Sequence, residues 1–101
     1  MSKILAKNNI KSYSEDVLST AVELLSKNDL VAFPTETVYG LGADATSDTA
    51  VSQIYKLKNR PFINPLITHV SNEEMAYSFC KETQLSNILA KAFWPGPLTI
   101  I

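Results

Sequence analysis

Short apolar runs alternate with polar segments along the chain, and the spacing of the apolar positions switches between helical and extended periods. Val17, Leu18, Ala21, Val22, Leu24 and Leu25 recur at three- and four-residue intervals, which predicts an amphipathic helix of about three to four turns. Ser14 supplies its N-cap, Glu15 and Asp16 its acidic first turn, and Asn28-Asp29 its end. Leu30-Val31-Ala32-Phe33 is a short apolar run halted by Pro34 and predicts a buried strand. A helix followed by a strand points to an α/β layer. Thr35 to Tyr39 is extended in propensity but half polar, and Gly40-Leu41-Gly42 predicts a turn or a close backbone approach.

A second helix is predicted after a cap at Asp48 or Ser47, with Val51, Ile54, Tyr55 and Leu57 as its apolar face. Pro61 disfavours a helical Arg60, so this helix ends near Lys58-Asn59. Leu66-Ile67-Thr68-His69-Val70 predicts another strand, and Ser71-Asn72-Glu73-Glu74 resembles a capping box leading through Met75, Ala76 and Phe79. A fourth helix spans Ser86 to Phe93, Trp94-Pro95-Gly96-Pro97 makes a stiff turn, and Leu98-Thr99-Ile100-Ile101 begins a strand. That last run has no cap or turn after it and reads as interrupted. Residues 1–13 are mixed, with Ile4, Leu5 and Ile10 as edge-strand or packing residues.

Composition narrows the function classes. A chain of 101 residues with 46% hydrophobic and 19% charged residues can build a core and is unlike a disordered tail. The length allows one domain or a piece of one, spanning 1–101. A net charge of -1 excludes a strongly basic nucleic-acid arm, though not a local basic patch. The single cysteine, Cys80, excludes an internal disulfide framework and any CxxC motif, and its place on a helix flank predicts a half-buried thiol. There is no signal-peptide core and no run of about 18 apolar residues, so the expected location is cytoplasmic, with no membrane partner.

Four segments carry candidate chemistry. Pro34 to Gly42 follows a strand, and strand ends are where open α/β sheets place ligands. Thr35 and Thr37 share one side of an extended segment, but the same residues also suit a solvated β-turn. The glycines do not form a P-loop or a dinucleotide fingerprint. Lys58 and Arg60 sit at a helix end, where cations favour the helix dipole and where a point charge plus a guanidinium fork also suits phosphate or carboxylate. His69 alternates with Thr68 in the expected strand, as a packed residue or as a ligand contact. No second histidine exists to build a zinc site, so no metal ligands are assigned. Trp94 and Phe93 beside two prolines form a rigid apolar corner, which suits core packing or a wall under the cleft better than base stacking.

The stretches VAFPTETVYGLGADA (31–45), AVSQIYKLKNRPFINPLITHV (50–70) and AFWPGPLTII (92–101), in this order, resemble the N-terminal half of the YrdC/Sua5 family, the threonylcarbamoyl-AMP synthases. The resemblance implies an α/β fold: a twisted, open, mostly parallel sheet with flanking helices around a positively charged cavity, here truncated. It implies formation of L-threonylcarbamoyladenylate and pyrophosphate from L-threonine, bicarbonate and ATP, with Mg²⁺, for modification of tRNA position 37 by a partner threonylcarbamoyl transferase. It places the family's Lys-x-Arg element on Lys58 and Arg60, as catalytic and ATP-binding residues, with Asn64 as a further nucleotide contact. It places threonine-site residues on Thr37 and His69, with Thr35 lining the same loop. Asn59 stands where many members have glycine. The family's Ser-x-Asn element is expected well beyond the WPGPLT segment, past the 101 residues of this sequence. Two further readings follow from the resemblance: a tRNA- or duplex-RNA-binding module or inactive fragment, and a carbamoyl-transfer domain of the hydrogenase-maturation type.

Overall fold

The computed structural model describes residues 9–101, so Ile4 and Leu5 lie outside the described residues. The chain divides into two compact units, one running to Asn64 and the other spanning Pro65–Ile101, and each is described by itself.

The first unit contains α1 (Glu15–Ser26), β1 (Val31–Phe33), β2 (Gly40–Gly42) and α2 (Asp48–Lys58). The Ser14 hydroxyl caps α1 by accepting the Val17 amide, as its sequence position predicts. Val17, Ala21 and Leu25, each four residues apart, are half-buried and form the stripe of a helix that packs on β1. Leu18, Val22 and Leu24 remain exposed, so the covered stripe is narrower than the periodicity predicts.

The sheet departs from expectation. It has two strands, β1 and β2, and they run antiparallel, pairing Val31 with Gly42, Ala32 with Leu41 and Phe33 with Gly40. The expected twisted, mostly parallel sheet is therefore corrected. Residues 34–39 are the whole connection between the strands, and a parallel pair needs a crossover of about a dozen residues or more. The segment Gly40–Gly42 is a strand rather than a turn, and β1 is half-buried to exposed rather than buried. Its glycines make room for Phe33: a Cβ on Gly42 would lie 2.7 Å from Phe33 Cε1, and one on Gly40 would lie 3.1 Å from Phe33 Cε2.

Helix α2 starts at a Ser47 hydroxyl that accepts the Ala50 amide, which settles the choice between Ser47 and Asp48. It buries Ala50, Ile54 and Tyr55. Leu57 is 66% exposed and lies off the packed face, contrary to its assignment from spacing.

Both helices of this unit close with an asparagine in the left-handed region, Asn28 at φ 67° and Asn59 at φ 49°. In α1 the Asn28 amide donates to Leu25 O at 3.1 Å and Asp29 to Leu24 O at 3.0 Å. In α2 Asn59 donates to Lys56 O at 3.2 Å and Arg60 to Tyr55 O at 2.9 Å. These are two Schellman closures, a role glycine fills most often because it carries no Cβ. Asparagine, which enters the left-handed region more readily than most residues, meets that demand at both ends.

The second unit contains α3 (Glu73–Tyr77) and α4 (Gln84–Phe93). Asn72, within the expected capping segment, caps α3 by accepting the Met75 amide at 2.8 Å. Thr83 and Ser86 form a reciprocal capping box for α4, which starts two residues before its predicted beginning at Ser86. The Tyr77 hydroxyl donates to Ser86 Oγ at 3.1 Å, and Ala76 and Ala90 are buried small residues. Trp94 closes α4, precedes a cis peptide to Pro95, and donates Nε1–H to Leu98 O at 2.8 Å. A Cβ on Gly96 would lie 2.5 Å from Phe93 O, so that turn requires glycine. Residues 66–70 and 98–101 have strand-like sequences but join no ladder among the described residues, since strand propensity yields a strand only where a partner supplies hydrogen bonds and packing. Cys80 is exposed rather than half-buried, with its thiol donating to Ala76 O at 3.2 Å. Among the described residues, no helix is long and apolar enough to cross a membrane.

Candidate functional site

The residues named from the sequence fall into three local settings. The first is the loop between β1 and β2. Thr35 Oγ1 donates to Val38 O and accepts the Thr37 amide at 3.2 Å. Its hydroxyl thus closes the loop on itself, which is the bonding that threonine side chains commonly offer in turns. Thr37 is exposed, and its own hydroxyl takes no part in that closure. The apolar neighbours Val38 and Tyr39 are 74% and 80% exposed.

The second setting is the C-terminal end of α2. Lys58 is the last helical residue and is exposed, while Arg60 is half-buried just past the closing Asn59. The Schellman turn fixes the Arg60 amide against Tyr55 O at 2.9 Å. Arg60 Nε lies 3.5 Å from Asn64 O, a long contact, and the Tyr55 hydroxyl donates to that same oxygen at 2.8 Å. The Asn64 amide in turn donates to Pro61 O at 3.0 Å. Tyr55 is 8% exposed, and its ring stacks on Phe62 with centroids 4.6 Å apart and planes inclined by 28°. The structure therefore brings Arg60 and Asn64 together, with Asn64 contributing its main-chain carbonyl. Helical spacing marks Tyr55 only as an apolar-face residue. Its hydroxyl reaches nine positions along the chain, a distance that helical spacing does not reveal.

The third setting is the extended segment of the second unit, where His69 is exposed. In the same unit a cavity of about 270 Å³ is lined by Val70, Ser71, Asn72, Glu73, Trp94, Pro95 and Gly96. His69 does not line it.

One carboxylate has a perturbed acidity. Asp44 is held below the usual carboxylate range because Thr46 donates to it through its hydroxyl, at 2.6 Å, and its amide, at 2.9 Å. This turn precedes α2, with the Ser47 amide donating to Asp44 O at 3.1 Å. Among the described residues, no three His, Cys, Asp or Glu side chains gather as a metal site.

The Sua5/YciO/YrdC family, described as "Telomere recombination", matches residues 23–101. The chain belongs to this family. The threonylcarbamoyl-AMP synthase of Pyrococcus abyssi is 49% identical over 82 residues, which cover 80% of this chain and 24% of that protein. The threonylcarbamoyl-AMP synthase of Bacillus subtilis is 44% identical, with coverage of 89% and 26%. The Escherichia coli K12 protein of the same name is 33% identical, with coverage of 93% and 50%. The chain therefore spans between a quarter and a half of these relatives. The crystal structure of P. abyssi Sua5 complexed with L-threonine superposes with a TM-score of 0.78 at 44% identity, over 85% of this chain and 26% of that one.

Proposed function

We propose that this chain carries the phosphate- and threonine-contacting part of an L-threonylcarbamoyladenylate synthase, which joins L-threonine, bicarbonate and ATP and releases pyrophosphate. The observation that carries this reading is the family match over 23–101, which includes the rigid α2 end bearing Lys58 and Arg60. In the proposed reaction a carbamate oxygen of N-carboxylated threonine attacks the α-phosphorus, and the bond from that phosphorus to the β-phosphate bridging oxygen breaks. Negative charge builds on the phosphoryl oxygens and on the departing pyrophosphate. Lys58 offers a point charge and Arg60 a planar donor, and both are stronger toward phosphate than neutral donors. No protein nucleophile is required, so catalysis rests on alignment and electrostatic stabilisation.

Asn64 is proposed to border the nucleotide, while Thr37 and His69 orient threonine and Thr35 holds the loop. The proposed product serves a partner threonylcarbamoyl transferase acting on tRNA. The RNA-binding and hydrogenase-maturation readings have no specific observation in their favour; a net charge of -1 gives little drive for duplex binding.

The test is a chimera in which residues 23–101 replace the matching stretch of the E. coli relative. It should release pyrophosphate from ATP only when threonine and bicarbonate are both present. Arg60→Ala should abolish that release with the fold retained. Release independent of threonine, or unaffected by Arg60→Ala, would overturn the proposal.

A further inference from the structure

A single carbonyl oxygen, that of Asn64, receives the Tyr55 hydroxyl at 2.8 Å and faces Arg60 Nε at 3.5 Å. Tyr55 also holds Arg60 from the other side, because its own carbonyl accepts the Arg60 amide at 2.9 Å. One nearly buried residue thus fixes both the start of the segment 60–64 and the oxygen against which the Arg60 side chain rests. The Phe62 stack and the Asn64-to-Pro61 hydrogen bond close the same segment from within.

We propose that Tyr55 is a positioning residue for the anion site: its hydroxyl holds the Asn64 carbonyl where Arg60 Nε meets it, and so presets the guanidinium for phosphate. This rests on the reading of Arg60 as a phosphate-holding group. Without the hydroxyl, the segment 60–64 keeps its ring stack and its Schellman turn but loses the tie at its far end. The cost of ordering Arg60 then falls on ligand binding.

The variant Tyr55→Phe retains the ring, its burial and its contact with Phe62, and removes only the O–H. The probe is inorganic pyrophosphate, titrated calorimetrically into the full chain at fixed ionic strength. Tyr55→Phe should weaken pyrophosphate binding about three- to tenfold, the worth of one hydrogen bond. It should also speed hydrogen exchange at the Asn64 amide. In an Arg60→Lys background, which has no Nε to meet the carbonyl, Tyr55→Phe should cause no further loss. A purely structural tyrosine would give equal losses in both backgrounds, and that result overturns the proposal. Unchanged affinity in Tyr55→Phe, with Arg60→Lys still weakening binding, also overturns it while leaving the role of Arg60 intact. If wild-type binding is absent or indifferent to Arg60→Lys, the phosphate-holding reading of Arg60 falls first and this inference falls with it.

Discussion

Replacing Asn59 tests whether the α2 closure is what aims Arg60. At φ 49° and ψ 44° this residue sits in the left-handed region, which costs an ordinary L-residue about 1–2 kcal/mol. Asparagine tolerates it better than most, and glycine pays no steric cost but gains freedom in the unfolded chain worth roughly 0.5–1 kcal/mol. These two contributions oppose each other, so Asn59→Gly should lie within about 0.5 kcal/mol of wild type. Asn59→Ala should cost about 1 kcal/mol, and the β-branched Asn59→Val about 2 kcal/mol or more, because relief of its strain opens the turn. An opened turn releases the amides of Asn59 and Arg60 from Lys56 O and Tyr55 O, now held at 3.2 Å and 2.9 Å. Native-state hydrogen exchange at those two amides reads the effect locally and does not require all of the chain to unfold in one step. Exchange should quicken in the order Gly, Ala, Val. Asn28 provides the control, since it closes α1 by the same geometry at φ 67°. Asn28→Val should loosen the end of α1 by a similar amount and leave pyrophosphate affinity unchanged. The reasoning is refuted if Asn59→Val protects the Arg60 amide as well as Asn59→Gly does.

Gly42→Ala should destabilise the hairpin by about 1–3 kcal/mol, since the new methyl would sit 2.7 Å from the Phe33 ring; thermal unfolding should show most of that loss removed in a Phe33→Leu background. Thr35→Val should loosen residues 35–38 by roughly 1 kcal/mol through loss of its two hydrogen bonds, read as faster exchange of the Thr37 amide; Thr37→Val should spare the loop but weaken threonine binding. The Asp44 carboxyl should titrate below the usual aspartate range by NMR, because Thr46 donates to it through its hydroxyl and its amide. Its folded value is depressed, so its contribution to stability is present above the unfolded value and disappears as pH falls through the folded one. Asp44→Asn should remove that acid sensitivity.

The helices were readable because their determinants are local. Ser14 is followed by acids and a repeating apolar stripe, Asn28-Asp29 marks an end, and Pro61 bounds α2. The sheet was not readable in the same way. Leu66–Val70 has strand composition, yet a ladder depends on a partner that composition does not name, whereas Gly40-Leu41-Gly42 suits a turn or a close approach and forms a strand paired with β1, with Phe33 close against both glycines. The candidate site divides similarly. Lys58 and Arg60 stand out as cations beside a helix end. Extended spacing puts Thr35 and Thr37 on one side, but Thr35 spends its hydrogen bonds on its own loop. Spacing places the Tyr55 ring, while only the folded turn places its oxygen.

Lys58 and Arg60 would hold an anion at the α2 end by different means. Lys58 is exposed on a flexible stem, and an exposed charge is screened over about 8 Å at physiological ionic strength. Arg60 is half-buried, its amide fixed by the Schellman turn and its Nε set against a carbonyl that a second donor already holds. Charge alone would make the two residues interchangeable, but preorganisation does not. The lysine attracts any anion from a distance, and the arginine, with its donors in a fixed plane, favours an oxyanion that matches that plane. In the proposed phosphate site, selectivity would therefore rest on the backbone of residues 55–64 as much as on the charge of the Lys-x-Arg pair.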